Sequence, residues 1–153
     1  LVIKLDDMPS FHFLSSEDLV SFHQLIQLFQ QVFDEPANGE LTDDFLSQRL
    51  SDPRFIVLVA RQDGQIIGGA TAYELPLYTH RQSEWLIYDV AVHQDFQRRG
   101  IGRELLQHLQ LEAQKRGVSD LFLDAHAEDL HAIAFYQRLG AKEERVHQFI
   151  FSS

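Results

Sequence analysis

Hydrophobic positions recur along this chain at two intervals, and the change from one to the other marks its elements. Leu19, Phe22, Leu25, Ile26, Phe29 and Val32 fall at helical spacing and predict an amphipathic helix. Ser15 and Asp18 stand before it at capping-box spacing, with Asp in place of the commoner Glu, and Phe11 to Leu14 reads as a short extended start. Glu35-Pro36-Ala37-Asn38-Gly39 breaks the helix. Thr42 then reads as the cap of a shorter one carrying Phe45, Leu46 and Leu50.

The interval changes at Phe55. Phe55 to Ala60 and Ile66 to Leu75 are β-rich runs joined through Gln62-Asp63-Gly64, a hairpin signal because such turns need positive backbone angles. Pro76 ends the second run, and another strand reads from Glu84 to Val92. From there strands and helices alternate. A helix is expected from about Ile101 to Lys115, closed by Gly117, then a strand from Leu121 to Ala125. A helix from Asp129 to Leu139, ended by Gly140, and a last strand from Arg145 to Phe151 complete the order. These elements predict one α/β (α+β) domain over residues 1–153, a mixed sheet with helices packed on it.

Composition narrows the chemistry. An apolar content of 44% supplies one sizeable core, and no run of 18 or more apolar residues occurs, so no membrane-spanning helix or export signal is expected. The absence of cysteine excludes a thiol nucleophile, a disulfide framework and a thiolate metal site, and is compatible with a cytoplasmic location. Thirteen basic against 23 acidic residues leave a formal charge of −10, which argues against nucleic acid as the main ligand and favours a cationic partner. His126 and His131 are five residues apart, off the spacing that puts two imidazoles on one helix face, and no metal site is expected. No Gly-x-Ser-x-Gly elbow marks a serine nucleophile.

The sharpest local signal is Gln97-Arg98-Arg99-Gly100-Ile101-Gly102, between the strand ending at Val92 and the helix containing Leu105, Leu106, Leu109 and Leu111. Glycines let a backbone approach a ligand, and the first turn of a helix presents unpaired N–H groups at the positive end of its dipole. Arg98, Arg99 and Arg103 add positive charge at the same place in an otherwise acidic chain, as a phosphate would require. The spacing matches neither the nucleotide P-loop nor the three-glycine dinucleotide fingerprint.

A second block, Ala134-Phe135-Tyr136-Gln137-Arg138-Leu139-Gly140-Ala141, follows about 30 residues later. Together the two blocks resemble the coenzyme A signature, Gln/Arg-x-x-Gly-x-Gly/Ala, and the second conserved motif of the GNAT superfamily of N-acetyltransferases, a likeness covering roughly residues 10 to 151. The resemblance implies a twisted sheet that splays after Val92, acetyl-coenzyme A as cofactor, and pantetheine lying in the gap against Val90, Ala91 and Val92. It also implies that Gln97, Arg98, Arg99, Gly100, Ile101, Gly102 and Arg103 surround the pyrophosphate, and that Tyr136 lies beside the sulfur and protonates the leaving thiolate. Dimers are common in that superfamily, so a homodimer is left open.

Asp89 interrupts an otherwise apolar strand interior, Leu86 to Val92. A carboxylate there must meet a polar cleft, hydrogen-bond donors or a cation, which makes it a candidate to hold a substrate ammonium and take its proton. Ala72 to Pro76, Arg81 to Glu84, Ile87 to Val92 and Glu143 to Phe149 are similar to segments of the type I aminoglycoside 3-N-acetyltransferases, which implies transfer of acetyl to the 3-amino group of an aminoglycoside antibiotic, and hence resistance. Asp124-Ala125-His126-Ala127-Glu128-Asp129-Leu130-His131 departs from the Asp-Asp-Pro stretch of that family, leaving the accepted aminoglycosides open. With Asp89, the acidic residues Glu84, Asp124, Glu128 and Asp129 can line a site for a polycationic sugar. Two other readings stand beside this one: a GNAT enzyme for another small amine, a polyamine or a protein amine, and a catalytically silent acyl-coenzyme A-binding module.

Overall fold

The structure, a computed structural model, describes residues 8–36, 39 and 41–153. It divides into two compact units, the first ending at Leu123 and the second comprising Asp124–Ser153. Ala37 and Asn38 of the expected helix break lie outside the described residues.

The first unit is built on strands β1 (Ser10–Phe13), β2 (Phe55–Gln62), β3 (Gln65–Pro76), β4 (Ser83–Val92) and β5 (Asp120–Phe122), with helices α1 (Leu19–Phe33), α2 (Asp43–Ser51) and α3 (Ile101–Lys115). The spatial order follows the chain; β1 to β4 are antiparallel, and β5 joins β4 in parallel, so the sheet is mixed as expected. Asp63 and Gly64, both at positive φ, form a two-residue turn that closes the β2–β3 hairpin between Gln62 and Gln65. Thr42 caps α2 by accepting from the Phe45 N–H at 3.3 Å. The capping box at α1 is only half made: the Ser15 N–H donates to Asp18 Oδ2 at 2.8 Å, but the Ser15 hydroxyl also donates to that carboxylate instead of accepting from the helix. Asp18 is thus the helix's N-cap residue.

Two adjacent glycines on β3 show how closely both faces of the sheet are covered. A Cβ on Gly69 would collide with Leu25 of α1 and stand 2.8 Å from the Leu58 carbonyl, whereas one on Gly68 would approach Ile101 of α3 at 3.5 Å. The α1–α2 face holds a cluster of Phe22, Leu25, Leu28, Leu46, Leu50, Val57, Val59 and Ala91. On α3, Ile101, Leu105, Leu106, Leu109 and Ala113 are the buried positions.

The second unit contains α4 (Leu130–Arg138), capped by Asp129. Beyond it the expected strand from Arg145 to Phe151 does not form: residues 141–153 have no regular structure, and Phe149, Ile150 and Phe151 are 79%, 80% and 98% exposed. β-propensity expresses packing against neighbours, and three consecutive apolar residues give neither face of a strand a clear inside. β5 is also shorter than the Leu121–Ala125 expected.

Candidate acetyl-transfer site

Asp89 is placed by a bulge. In the β3–β4 ladder Thr71 pairs with Asp89 and the next residue, Ala72, pairs with Ile87, so Tyr88 is an extra residue on β4. An extra residue reverses the side to which everything beyond it points. Trp85 and Ile87 pair with Glu74 and Ala72, while Asp89 joins the side of Thr71, Tyr73 and Leu75, the α1–α2 side of the sheet. Glu84 pairs with Leu75 and so shares that side with Asp89; in a regular strand the two acids would point apart.

Asp89 is half-buried, and Thr71 Oγ1 donates to its Oδ2 at 3.2 Å. Burial raises its pKa above the ordinary carboxylate value, the Thr71 hydrogen bond opposes this, and the negative charge of Glu35 just beyond α1 adds to the rise. The carboxylate is held where a cation would relieve it. Sequence reasoning missed Glu35, read only as part of a helix break, and Thr71, whose polarity within an apolar strand was the available signal.

Next to Asp89 the sheet opens. β5 pairs with β4 only at Glu84, Trp85 and Leu86, so from Ile87 to Val92 that side of β4 has no strand partner among the described residues. The His93 N–H donates to the Ile67 carbonyl at 2.8 Å, which sets the ladder's phase: His93 and Ala91 turn their backbone groups toward β3, and Val90 and Val92 turn theirs to the open edge. Val90 and the Val92 N–H therefore present an edge that an extended amide chain can extend, the Val92 carbonyl already accepting from Gln97 Nε2. Ala91 does not, since its backbone faces β3 and its side chain lies in the core.

The loop after Val92 curls into the start of α3. Gln97 Nε2 donates to the Val92 carbonyl at 3.0 Å, so this side chain ties the loop to the strand end. Arg98 and Gly100 are both left-handed, at φ 62° and 83°, a sharp curl of the kind that gathers successive N–H groups. Gly100 is the N-cap of α3 and offers no side-chain acceptor; the first intrahelical bond runs from the Glu104 N–H to the Gly100 carbonyl, leaving the amides of Ile101, Gly102 and Arg103 for a ligand. Arg98, Arg99 and Arg103 are exposed there, with Arg99 over the Phe96 ring at 5.2 Å. An open groove of about 430 Å³ runs from Gly100 along Arg103, Glu104, Gln107, His108 and Leu111. Free amides, left-handed curl and arginines fit the pyrophosphate of a coenzyme A.

Residues 22–141 match the model of the GNAT acetyltransferase family, across both units. The chain belongs to the GNAT acetyltransferase family. Its acyl donor is accordingly acetyl-coenzyme A. The structure of an aminoglycoside acetyltransferase from an uncultured soil metagenomic sample, in complex with sisomicin, superposes with a TM-score of 0.89 at 30% identity, covering 98% of this chain and all of that one. A second such enzyme from soil metagenomic DNA, HMB0005, gives a TM-score of 0.87 at 32% identity, covering 95% of this chain and 99% of its own. The ribosomal protein bS18-alanine N-acetyltransferase of Escherichia coli is 43% identical over 65 residues, 42% of this chain and 44% of that protein. The match thus spans less than half the length of that relative.

Within the second unit Tyr136 lies on α4, half-buried, its ring 5.2 Å from that of Phe135. Burial, followed by the charge of Asp129, raises its phenol pKa and keeps it protonated. Asp129 Oδ1 accepts from the Ala132 N–H at 2.9 Å, so this acid is engaged in capping α4. Asp124 and Glu128 are exposed in the same unit.

Proposed function

We propose that this GNAT-family protein transfers the acetyl group of acetyl-coenzyme A to the 3-amino group of an aminoglycoside. The observation that carries the reading is Asp89, a half-buried carboxylate turned by the Tyr88 bulge onto the same side of the sheet as Glu84, its pKa raised by burial and further by the charge of Glu35. A polycationic sugar relieves this accumulation of negative charge, and the chain's formal charge of −10 favours its approach. The likeness to a soil enzyme crystallised with sisomicin supports the same class of substrate.

The cofactor supplies an activated acetyl group as a thioester. An ammonium cannot attack a carbonyl, so the chain must first remove a proton; Asp89 holds the cation and accepts or relays that proton. With the thioester bound, a C–N bond would form as the C–S bond breaks; Tyr136, assigned by its place in the second family motif, would give its phenolic proton to the departing sulfur, and the nitrogen would release its second proton to solvent, from which the phenolate is reprotonated. The amides of Ile101 to Arg103 and the open edge at Val90 and Val92 fix the donor's position, lowering the entropy cost of the encounter.

The match to a ribosomal-protein alanine acetyltransferase supports a second reading, transfer to the amino terminus of a protein. Release of free coenzyme A by the purified protein separates the two. Turnover with gentamicin or sisomicin and none with an alanine-terminated peptide is expected; the reverse outcome would transfer the assignment to a protein amine.

A further inference from the structure

Resting on that reading, we infer that Tyr73 and Tyr88 form an aromatic wall that takes the face of an aminocyclitol or amino-sugar ring and so sets substrate specificity beside Asp89. Tyr73 of β3 pairs with Leu86 and therefore points to the same side as Thr71 and Asp89. Its ring lies 5.0 Å from that of Phe55 and 5.6 Å from that of Tyr88, the latter pair nearly perpendicular at 84°. Phe55, Tyr73 and Tyr88 thus run as one row of rings across β2, β3 and β4, ending next to the carboxylate.

Helices α1 and α2 cover this side of the sheet at Val57 and Val59, but not at the end of the row: Tyr73 is 40% and Tyr88 67% exposed. Tyr88 is also the bulge residue, so the distortion that turns Asp89 also carries this ring out of the strand's regular alternation. Burial first, then the neighbouring Tyr88 phenol and the Asp89 carboxylate, raise the pKa of the Tyr73 phenol, which places the two rings and the carboxylate in one environment.

Exposed aromatic faces beside acids suit a ligand with two properties at once. An amino sugar has C–H faces that pack on rings and ammonium groups attracted both to ring π-density and to carboxylates. A flexible aliphatic polyamine has the charges but no ring face, and an uncharged sugar lacks the cation. The wall therefore selects for rigid, multiply aminated rings among amines that Asp89 alone would accept.

Steady-state kinetics with sisomicin and with spermidine on Tyr88→Ala, Tyr88→Phe and Tyr73→Leu tests this. Tyr88→Ala and Tyr73→Leu are expected to raise KM for sisomicin about tenfold. The turnover number at saturation should stay within about twofold of the parent, coenzyme A affinity should be unchanged, and Tyr88→Phe, which keeps the ring face, should restore the parental KM. Unchanged KM in both truncated variants overturns the wall while leaving the aminoglycoside assignment intact. An equal rise in KM for spermidine overturns ring selectivity. A parent that neither binds nor acetylates sisomicin overturns both the wall's ligand and the aminoglycoside reading.

Discussion

The Thr71 hydroxyl donates to the Asp89 carboxylate at 3.2 Å across the β3–β4 ladder, one residue beyond the bulge at Tyr88. That bond opposes the two influences that hold Asp89 above the ordinary carboxylate range, burial and the charge of Glu35. In its proposed role of proton acceptor Asp89 works ionised, so activity is expected to be lost as pH falls through this raised pKa, at a higher pH than an exposed aspartate would give. Thr71→Val removes the stabilising bond and is expected to move the acid limb of the kcat/KM profile upward, whereas Glu35→Gln should move it downward. A pH-rate series on the two variants checks this; shifts in the same direction would exclude Asp89 as the titrating group.

The same raised pKa has a stability consequence of opposite sign from the usual aspartate. The folded state holds the Asp89 proton more tightly than the unfolded chain, so this group's contribution falls as pH rises from the unfolded pKa through the folded one. Asp89→Asn is expected to abolish most aminoglycoside turnover and yet to melt at or above the parental Tm at pH 7. Thermal unfolding at pH 4 and pH 7 measures it.

Gly100 meets nothing within 4 Å where a Cβ would stand, so substitution there acts through its φ of 83° and through charge. Gly100→Ala should cost about 1–2 kcal/mol of stability or local order for the left-handed backbone. Gly100→Asp should in addition weaken acetyl-coenzyme A binding by about tenfold or more, by adding a negative charge and a competing acceptor at the amides proposed to hold phosphate. Calorimetry on the folded variants compares them.

Burial, followed by the charge of Asp129, raises the Tyr136 phenol pKa further above neutrality, so the group carries the proton that its proposed role as donor needs. Tyr136→Phe is expected to lower the turnover number about 10² or more while coenzyme A affinity changes little. Parental turnover across the pH range would make Tyr136 a packing residue.

Gly69 provides a test of the fold itself. Its missing side chain lets Leu25 of α1 sit against the sheet, and a Cβ would also press on the Leu58 carbonyl, which cannot yield. Gly69→Ala should destabilise the chain by about 1–3 kcal/mol in urea denaturation, the range for overpacking.

Periodicity made α1 and α3 legible, because each buries one clear set of positions, whereas β2 and β3 were legible as continuous β-rich runs covered on both faces. Arg145–Phe151 was not legible, since composition alone gave it a strand's propensity without a partner. At the site, the amide cradle could be read from its glycines and arginines, but Ala91 could not be told from Val90 and Val92 until the ladder's phase was known. Tyr88 reads as an ordinary apolar strand residue; only the register shows that it changes the side of Asp89, bringing Glu84, Tyr73 and Thr71 to the same surface.

The measurement that bears most directly on the proposed activity is NMR of the product formed from gentamicin and acetyl-coenzyme A by the purified protein, with mass spectrometry to count acetyl groups. One acetyl group on the 3-amino group of the deoxystreptamine ring is the result expected. Acetylation at a different amine would contradict the position, and an unmodified antibiotic alongside an acetylated peptide amino terminus would contradict the substrate class.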